Sequence, residues 1–131
     1  MAKMKYHSTS FVNALGRWDS KLEYHRYLIL REREEKKAIQ DLKRQVPFTL
    51  VPTQYEKRVT VTKTGLKRES TAVAERAVEY KADFTYIKDG KLVVEDTKSP
   101  ATRTKDYVIK RKLMRYMLNI KIKEVTKPTE E

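Results

Sequence analysis

Cysteine is absent from the 131-residue chain, which excludes a disulfide framework, a zinc–thiolate site and a cysteine nucleophile. Histidine is scarce. His7 and His25 lie far apart without ligand spacing, so any bound metal must rest mainly on carboxylates, which favours magnesium or manganese. Long apolar runs are missing too. No purely aliphatic run is longer than Leu28-Ile29-Leu30, far short of a membrane span. The opening Met1-Ala2-Lys3-Met4-Lys5 is basic but has no apolar stretch behind it, so it does not have the form of a signal peptide. A cytoplasmic location without membrane attachment is expected. Internal repeats and low-complexity segments are also lacking.

Positive charge is what the chain has in surplus. Lys and Arg number 30 against 18 Asp and Glu, a formal charge of +12. Such an excess repels itself in a folded protein and is better explained by a polyanionic partner. Nucleic acid is the commonest, and an acidic membrane surface comes second. The length predicts one domain.

Residues 1–17 are polar and basic with little periodicity, which predicts a flexible N-terminal arm, followed by a domain over 18–126. Ser20 opens a helix with Glu23 in capping-box register, and Leu22, Ile29 and the run from Tyr27 to Leu30 supply its buried side. The charged stretch Arg31 to Lys37 continues it to an end near Lys37. Val46, Phe48 and Leu50 alternate as a strand, placed at an edge or bulge by Pro47 and closed by Pro52. Residues 53–76 suggest a basic hairpin projecting from the core, with Gly65 a turn candidate, and a disordered or partly helical insertion is the alternative. From Val78 to Tyr86 apolar and polar residues alternate, and Asp89-Gly90 is the strongest short hairpin signal in the chain. Leu92-Val93-Val94 begins the return strand, and Pro100 ends it. Thr104 caps a helix to Leu118 with Ile109, Leu113 and Met117 on one face, and Asn119 stops it. Ile120, Ile122 and Val125 suggest a last strand, and 127–131 a frayed tail.

A two-residue turn at Asp89-Gly90 sets Lys88 opposite Lys91. Continuing that register places Asp83 opposite Asp96, with Cβ atoms roughly 4.5–5.5 Å apart. Alternation puts Lys98 on the face of Asp96 and Glu95 on the other. Two adjacent carboxylates repel, so their placement at the end of a central strand calls for a divalent cation. A surface salt-bridge cluster is the plainer alternative, but the apolar lead-in argues against an exposed strand.

Asp83, a hairpin and then Asp96-Thr97-Lys98 resemble the signature of the PD-(D/E)XK nucleases, the restriction-endonuclease-like superfamily, with Ala82 where proline is common. The segments Asp19 to Glu23, Leu42 to Phe48 and Thr104 to Leu113 are similar to a small phage-borne branch, itself similar in layout to phage endonucleases that resolve Holliday junctions. The resemblance spans most of 18–125 apart from the insertion. It implies an α/β fold with a mixed sheet in αβββαβ order, carrying the basic hairpin-like insertion. It further implies a Mg²⁺-dependent DNA endonuclease (Mn²⁺ as substitute) acting on branched DNA in phage recombination or replication, in the host cytoplasm and as a homodimer suited to paired incisions. Asp83 and Asp96 would ligate the metal and Lys98 would position the attacking water. Glu23 would be a further metal ligand; one side chain rarely also caps a helix, and the wider match favours the ligand role over the cap, which Gln or Asp could equally serve. Gln45 would lie beside the site.

Arg103, Lys105, Lys110, Arg111, Lys112 and Arg115 on and before the second helix are read as phosphate contacts, and Arg58, Lys63, Lys67 and Arg68 in the insertion as a grip on a second DNA arm. Ordinary solvated charge is the alternative for each. Tyr24, Tyr27, Tyr107 and Tyr116 are read as core-edge packing and Trp18 as a packing anchor. Two further functions fit the same residues: a non-catalytic DNA-binding or recombination accessory protein, and an RNA-processing nuclease.

Overall fold

The computed structural model of the protein describes residues 10–99 and 102–131, so residues 1–9 of the expected arm and Pro100 lie outside the described residues. The rest of the expected arm is not an arm. Strands β1 (Phe11–Asn13) and β2 (Gly16–Trp18) form a small hairpin. Asn13 organises it, accepting from the Leu15 N–H at 2.9 Å and the Trp18 indole N–H at 3.0 Å. That polar contact, invisible to hydrophobic periodicity, delivers Trp18 fully buried into the core.

Ser20 then caps α1 (Lys21–Glu35), accepting from the Glu23 N–H at 3.1 Å. The buried face of α1 is Glu23, Arg26 and Leu30 rather than the expected run to Leu30, in which Leu28 is exposed. Two charged residues on the inner face leave no apolar stripe for periodicity to find.

Strand β3 (Gln40–Val51) starts earlier than its alternation suggests, and Pro47 sits in it at the sheet edge, where its missing N–H costs least. Strands β4 (Gln54–Val61) and β5 (Lys67–Glu75) pair as a separate ribbon, the projecting hairpin expected of 53–76. Strands β6 (Val78–Lys88) and β7 (Lys91–Thr97) meet at Asp89-Gly90, with both residues at positive φ (52° and 75°), as a tight type I′ hairpin requires. Thr104 caps α2 (Lys105–Leu118), and Asn119 ends it in the left-handed conformation.

The last strand, β8 (Lys123–Val125), excludes Ile120 and Ile122, which instead pack into the core as the chain leaves the helix cap. The face of α2 toward the sheet carries Tyr107 and Met114, with Leu113 partly covered, whereas Ile109 and Met117 are exposed. Tyr116 is exposed and joins neither described cluster, unlike Trp18, Tyr24, Tyr27 and Tyr107. The tail at 127–131 is held down: Arg26 donates to the carbonyls of Pro128 and Glu130, and Arg33 to that of Glu130 at 2.9 Å.

The main sheet runs β3-β6-β7-β8, antiparallel except for β8, which lies parallel to β7. It is a mixed sheet with a helix and a hydrophobic cluster on each side. Trp18, Leu30, Ile39, Phe84 and Tyr86 gather under α1. Leu50, Tyr80, Ala82, Val94, Met114 and Ile122 gather under α2. No described helix is long and apolar enough to cross a membrane.

Candidate functional site

The hairpin register fixes the site. Lys88 faces Lys91, and the pairing runs without a slip to Phe84 opposite Glu95. There the ladder ends. Asp83 does not continue it; its Oδ2 accepts from the Thr97 N–H at 2.8 Å and the Thr97 hydroxyl at 2.7 Å. Its side chain so replaces the backbone partner that Thr97 would have had.

A change of face accompanies this. The Tyr86 hydroxyl donates to Glu95, whereas the Tyr80 hydroxyl, on the same strand at even spacing, donates to Asp96 at 2.8 Å. Glu95 and Asp96 are adjacent on β7 and point to opposite sides. Strict alternation along β6 would send both tyrosines to one side, so the strand turns over between them, around Asp83. Beside it on β3, Gln45 holds φ at 52°, a left-handed backbone that a glutamine adopts only when its surroundings enforce it.

Asp83, Asp96 and Lys98 come together as expected. Lys98 Nζ lies 3.5 Å from Asp96 Oδ2 and 4.2 Å from the centre of the Tyr107 ring. Only one oxygen of each carboxylate is taken this way. Tyr80 and Lys98 engage Oδ2 of Asp96, and Thr97 engages Oδ2 of Asp83. Asp96 Oδ1 is left to the other carboxylate or to a cation, and Asp83 Oδ1 lies 3.4 Å from the Gln45 amide nitrogen.

Electrostatics mark Asp96 as the strained member. It is 4% exposed. Burial pushes its carboxyl up to about 8, reinforced by hydrogen bonding and repulsion from Asp83 and opposed by Lys98 and Tyr80. The Tyr80 hydroxyl is driven far above the ordinary tyrosine range by burial and then by Asp96, so it stays a proton donor. Burial, Asp96 and Glu124 raise Tyr107 as well.

Of the two roles that the sequence set against each other for Glu23, the structure shows the contact at the helix start. Its Oε2 accepts from the Asp19 N–H at 3.0 Å, closing the helix start. Its Oε1 accepts from the Gln45 amide at 2.6 Å, and the same amide nitrogen is 3.4 Å from Asp83 Oδ1. Burial, then Asp83, raise its pKa. Glu23 thus reaches the aspartate pair through Gln45. Among the described residues, no three carboxylate or imidazole groups converge as a metal-binding set. The pair alone still suits magnesium, which is commonly held by one or two carboxylates with water and substrate phosphate completing its shell.

The basic residues divide. Arg103 and Arg111 both reach Glu124, at 3.1 and 3.3 Å. Lys105, Lys112 and Arg115 are exposed and Lys110 is half-buried. On the ribbon, Arg58 pairs with Glu56 at 3.2 Å, and Lys63, Lys67 and Arg68 are exposed.

Four contributors escaped the sequence reading. Tyr80 and Thr97 hold the carboxylates. Arg44 stacks its guanidinium 3.4 Å from the Trp18 ring centre and lies 3.7 Å from Glu23. Glu124 is the strand neighbour of Asp96. Only the parallel β7–β8 register exposes that last relation, and no local motif encodes it.

No curated protein and no solved structure gave a match to the chain. A family model matches residues 3–129, and the chain belongs to that family, described as "Protein of unknown function (DUF1064)".

Proposed function

We propose that the protein is a metal-dependent endodeoxyribonuclease of the restriction-endonuclease-like kind, hydrolysing phosphodiester bonds in DNA. The observation that carries this reading is a carboxylate pair, the buried Asp96 and the half-buried Asp83, beside an ammonium whose one close acidic partner among the described residues is Asp96. A pair of this kind opposes folding unless a cation offsets it. The observed order of core elements, helix, three strands, helix, strand, is the order that the nuclease resemblance implies.

Asp83 and Asp96 would hold Mg²⁺ or Mn²⁺. When bound, the ion supplies counter-charge to the phosphodiester and acidifies water. The chain's own groups do the rest. Thr97 fixes the Asp83 carboxylate, and Tyr80 fixes that of Asp96. Lys98, steadied by Asp96 and the Tyr107 ring, adds the positive charge that stabilises negative charge growing on the phosphate. Glu23 and Gln45 orient Asp83 from the other side. The +12 charge and the exposed cations of α2 and the ribbon favour a polyanionic substrate. Preference for branched DNA, phage recombination as the setting and a homodimeric form rest on the family resemblance alone.

The test is a substrate panel of duplex, flap, four-way junction and RNA in Mg²⁺ and in Mn²⁺. Cleavage that EDTA and Asp83→Ala both abolish supports the proposal. Cleavage indifferent to Asp83→Ala sinks it. A second reading, a DNA-binding accessory protein, is favoured by the absence of a third converging carboxylate among the described residues. It predicts DNA binding with no cleavage of any substrate.

A further inference from the structure

Glu124 and Asp96 are partners across the parallel β7–β8 pair, so their side chains share the α2 side of the sheet. The buried Tyr107 hydroxyl has no hydrogen-bond partner among the described residues, and burial, then Asp96 and Glu124, push its pKa upward. The chemistry at Asp96 is therefore one strand away from Glu124. Glu124 in turn anchors Arg111 and Arg103 of the α2 region through its two oxygens. Beyond it opens a cleft of about 240 Å³ lined by Arg111, Lys112, Arg115, Lys121, Ile122 and Glu124.

The lining is unbalanced. Four cations face one carboxylate, and that carboxylate is already shared between Arg111 and Arg103. Lys112, Arg115 and Lys121 are exposed and make no ion pair among the described residues. Cations crowded into a concavity repel one another, and an anion relieves that repulsion while exploiting the focused field. Arg111 is pre-set by Glu124 and presents a rigid fork suited to a phosphate.

We propose that this α2–β8 cleft is a second phosphate site, holding a backbone phosphate of the nucleic-acid strand beside the one that reaches Asp83 and Asp96, with Glu124 as its positioning residue. The assignment leans on the proposed function only for the identity of the polyanion. It differs from the ribbon's cations in place and in construction: this site is concave and built around an acid, whereas the ribbon is an open surface.

The experiment is equilibrium binding of a labelled DNA duplex, in EDTA, across 50–200 mM KCl. Arg115→Gln with Lys121→Gln should weaken binding and lower the slope of log K against log salt by about 1 to 2, at roughly 0.9 per lost phosphate contact. Lys88→Gln with Lys91→Gln removes the same charge at the opposite end of β7 and should leave the slope within about 0.5 of wild type. Glu124→Gln, which frees Arg111, should weaken binding although it makes the protein more positive; a merely electrostatic role would strengthen it. Equal slopes for the two double variants, tighter binding by Glu124→Gln, or a wild type that does not bind DNA each overturn the proposal. Thermal melts of every variant check folding, and Arg115→Glu alone gives the same reading if the double variant melts early. Inorganic phosphate at matched ionic strength separates the sources: protection from unfolding without a slope change assigns the cleft to free phosphate and overturns the strand assignment. The nuclease proposal is judged separately, by cleavage in Mg²⁺, so the slope change can survive its failure and the reverse.

Discussion

Glu95 and Asp96 are neighbours on β7, both buried, each accepting from a tyrosine hydroxyl, yet they live in opposite circumstances. Glu95 faces α1 and receives two parallel bonds from the fully buried Arg26 guanidinium, both at 2.8 Å. Its charge is matched and its geometry is forked. Asp96 faces α2 and meets another carboxylate, with Lys98 at 3.5 Å as partial relief. One strand thus carries a satisfied carboxylate on one side and an unsatisfied one on the other. The first locks β7 to α1. The second is the kind of group that a folded protein keeps for chemistry, at a cost in stability. The locked side is what allows the unlocked side to keep its place.

Several substitutions break or sharpen this contrast. The largest effect belongs to the reaction. Asp96→Asn or Asp83→Asn should lower Mg²⁺-dependent cleavage by about 10³-fold or more, measured on a labelled junction under single-turnover conditions. Glu95→Gln should instead act on the fold. Leaving Arg26 buried without its partner should cost about 3–5 kcal/mol in urea denaturation, and the pair change Arg26→Met with Glu95→Leu should recover most of it. If Glu95→Gln is neutral in stability, the two sides of β7 do not differ as described.

Opposite signs are expected for stability. Without divalent metal, Asp96→Asn should stabilise the protein by on the order of 1–3 kcal/mol above pH 8, because it removes a buried charge next to Asp83. The pH profile follows from the raised pKa. Protonated Asp96 contributes stability fully below the ordinary aspartate value, and that contribution is lost as pH rises through about 8. Metal-free wild type should therefore melt at lower temperature at pH 9 than at pH 6. Mg²⁺ should protect most at the alkaline end, and binding it below pH 8 should release a proton. Asp96→Asn should flatten this profile.

Gln45 gives a smaller effect. Gln45→Gly relieves the left-handed backbone but removes the amide that joins Glu23 to Asp83. Cleavage should fall about 10–100-fold with little or no loss of stability, as judged by thermal melting beside single-turnover rates. The smallest structural effect is expected from replacing 54–75 with a short glycine linker. Among the described residues the ribbon's strands pair only with each other, so the core should melt as before while DNA affinity drops.

Much of this contrast is written in local signals. Asp89-Gly90 states its turn type, and the register of β6 with β7 follows by counting. That is enough to place Asp96 and Lys98 on one side and Glu95 on the other. Ser20, Thr104 and Asn119 mark the helix ends because capping is local chemistry. Less legible are features set by long-range partners. Arg26 and Glu23 on the inner face of α1 look like surface charge until Glu95 and Gln45 are brought beside them. The turnover of β6 at Asp83 and the strained Gln45 on the next strand defeat a period-two reading, since alternation assumes a regular pleat. The tail at 127–131 has no apolar residue to anchor it, and it is pinned by its carbonyls to Arg26 and Arg33.

The central claim, that the Asp83–Asp96 side of β7 is a nuclease site, is tested most directly by one paired assay. Wild type and Asp96→Asn are incubated with a labelled four-way junction and its component duplexes in Mg²⁺, and binding is measured in parallel in EDTA. Cleavage by wild type only, with the variant still folded and binding DNA at least as tightly, is the predicted result. No cleavage by wild type in either Mg²⁺ or Mn²⁺, or equal cleavage by the variant, would contradict it.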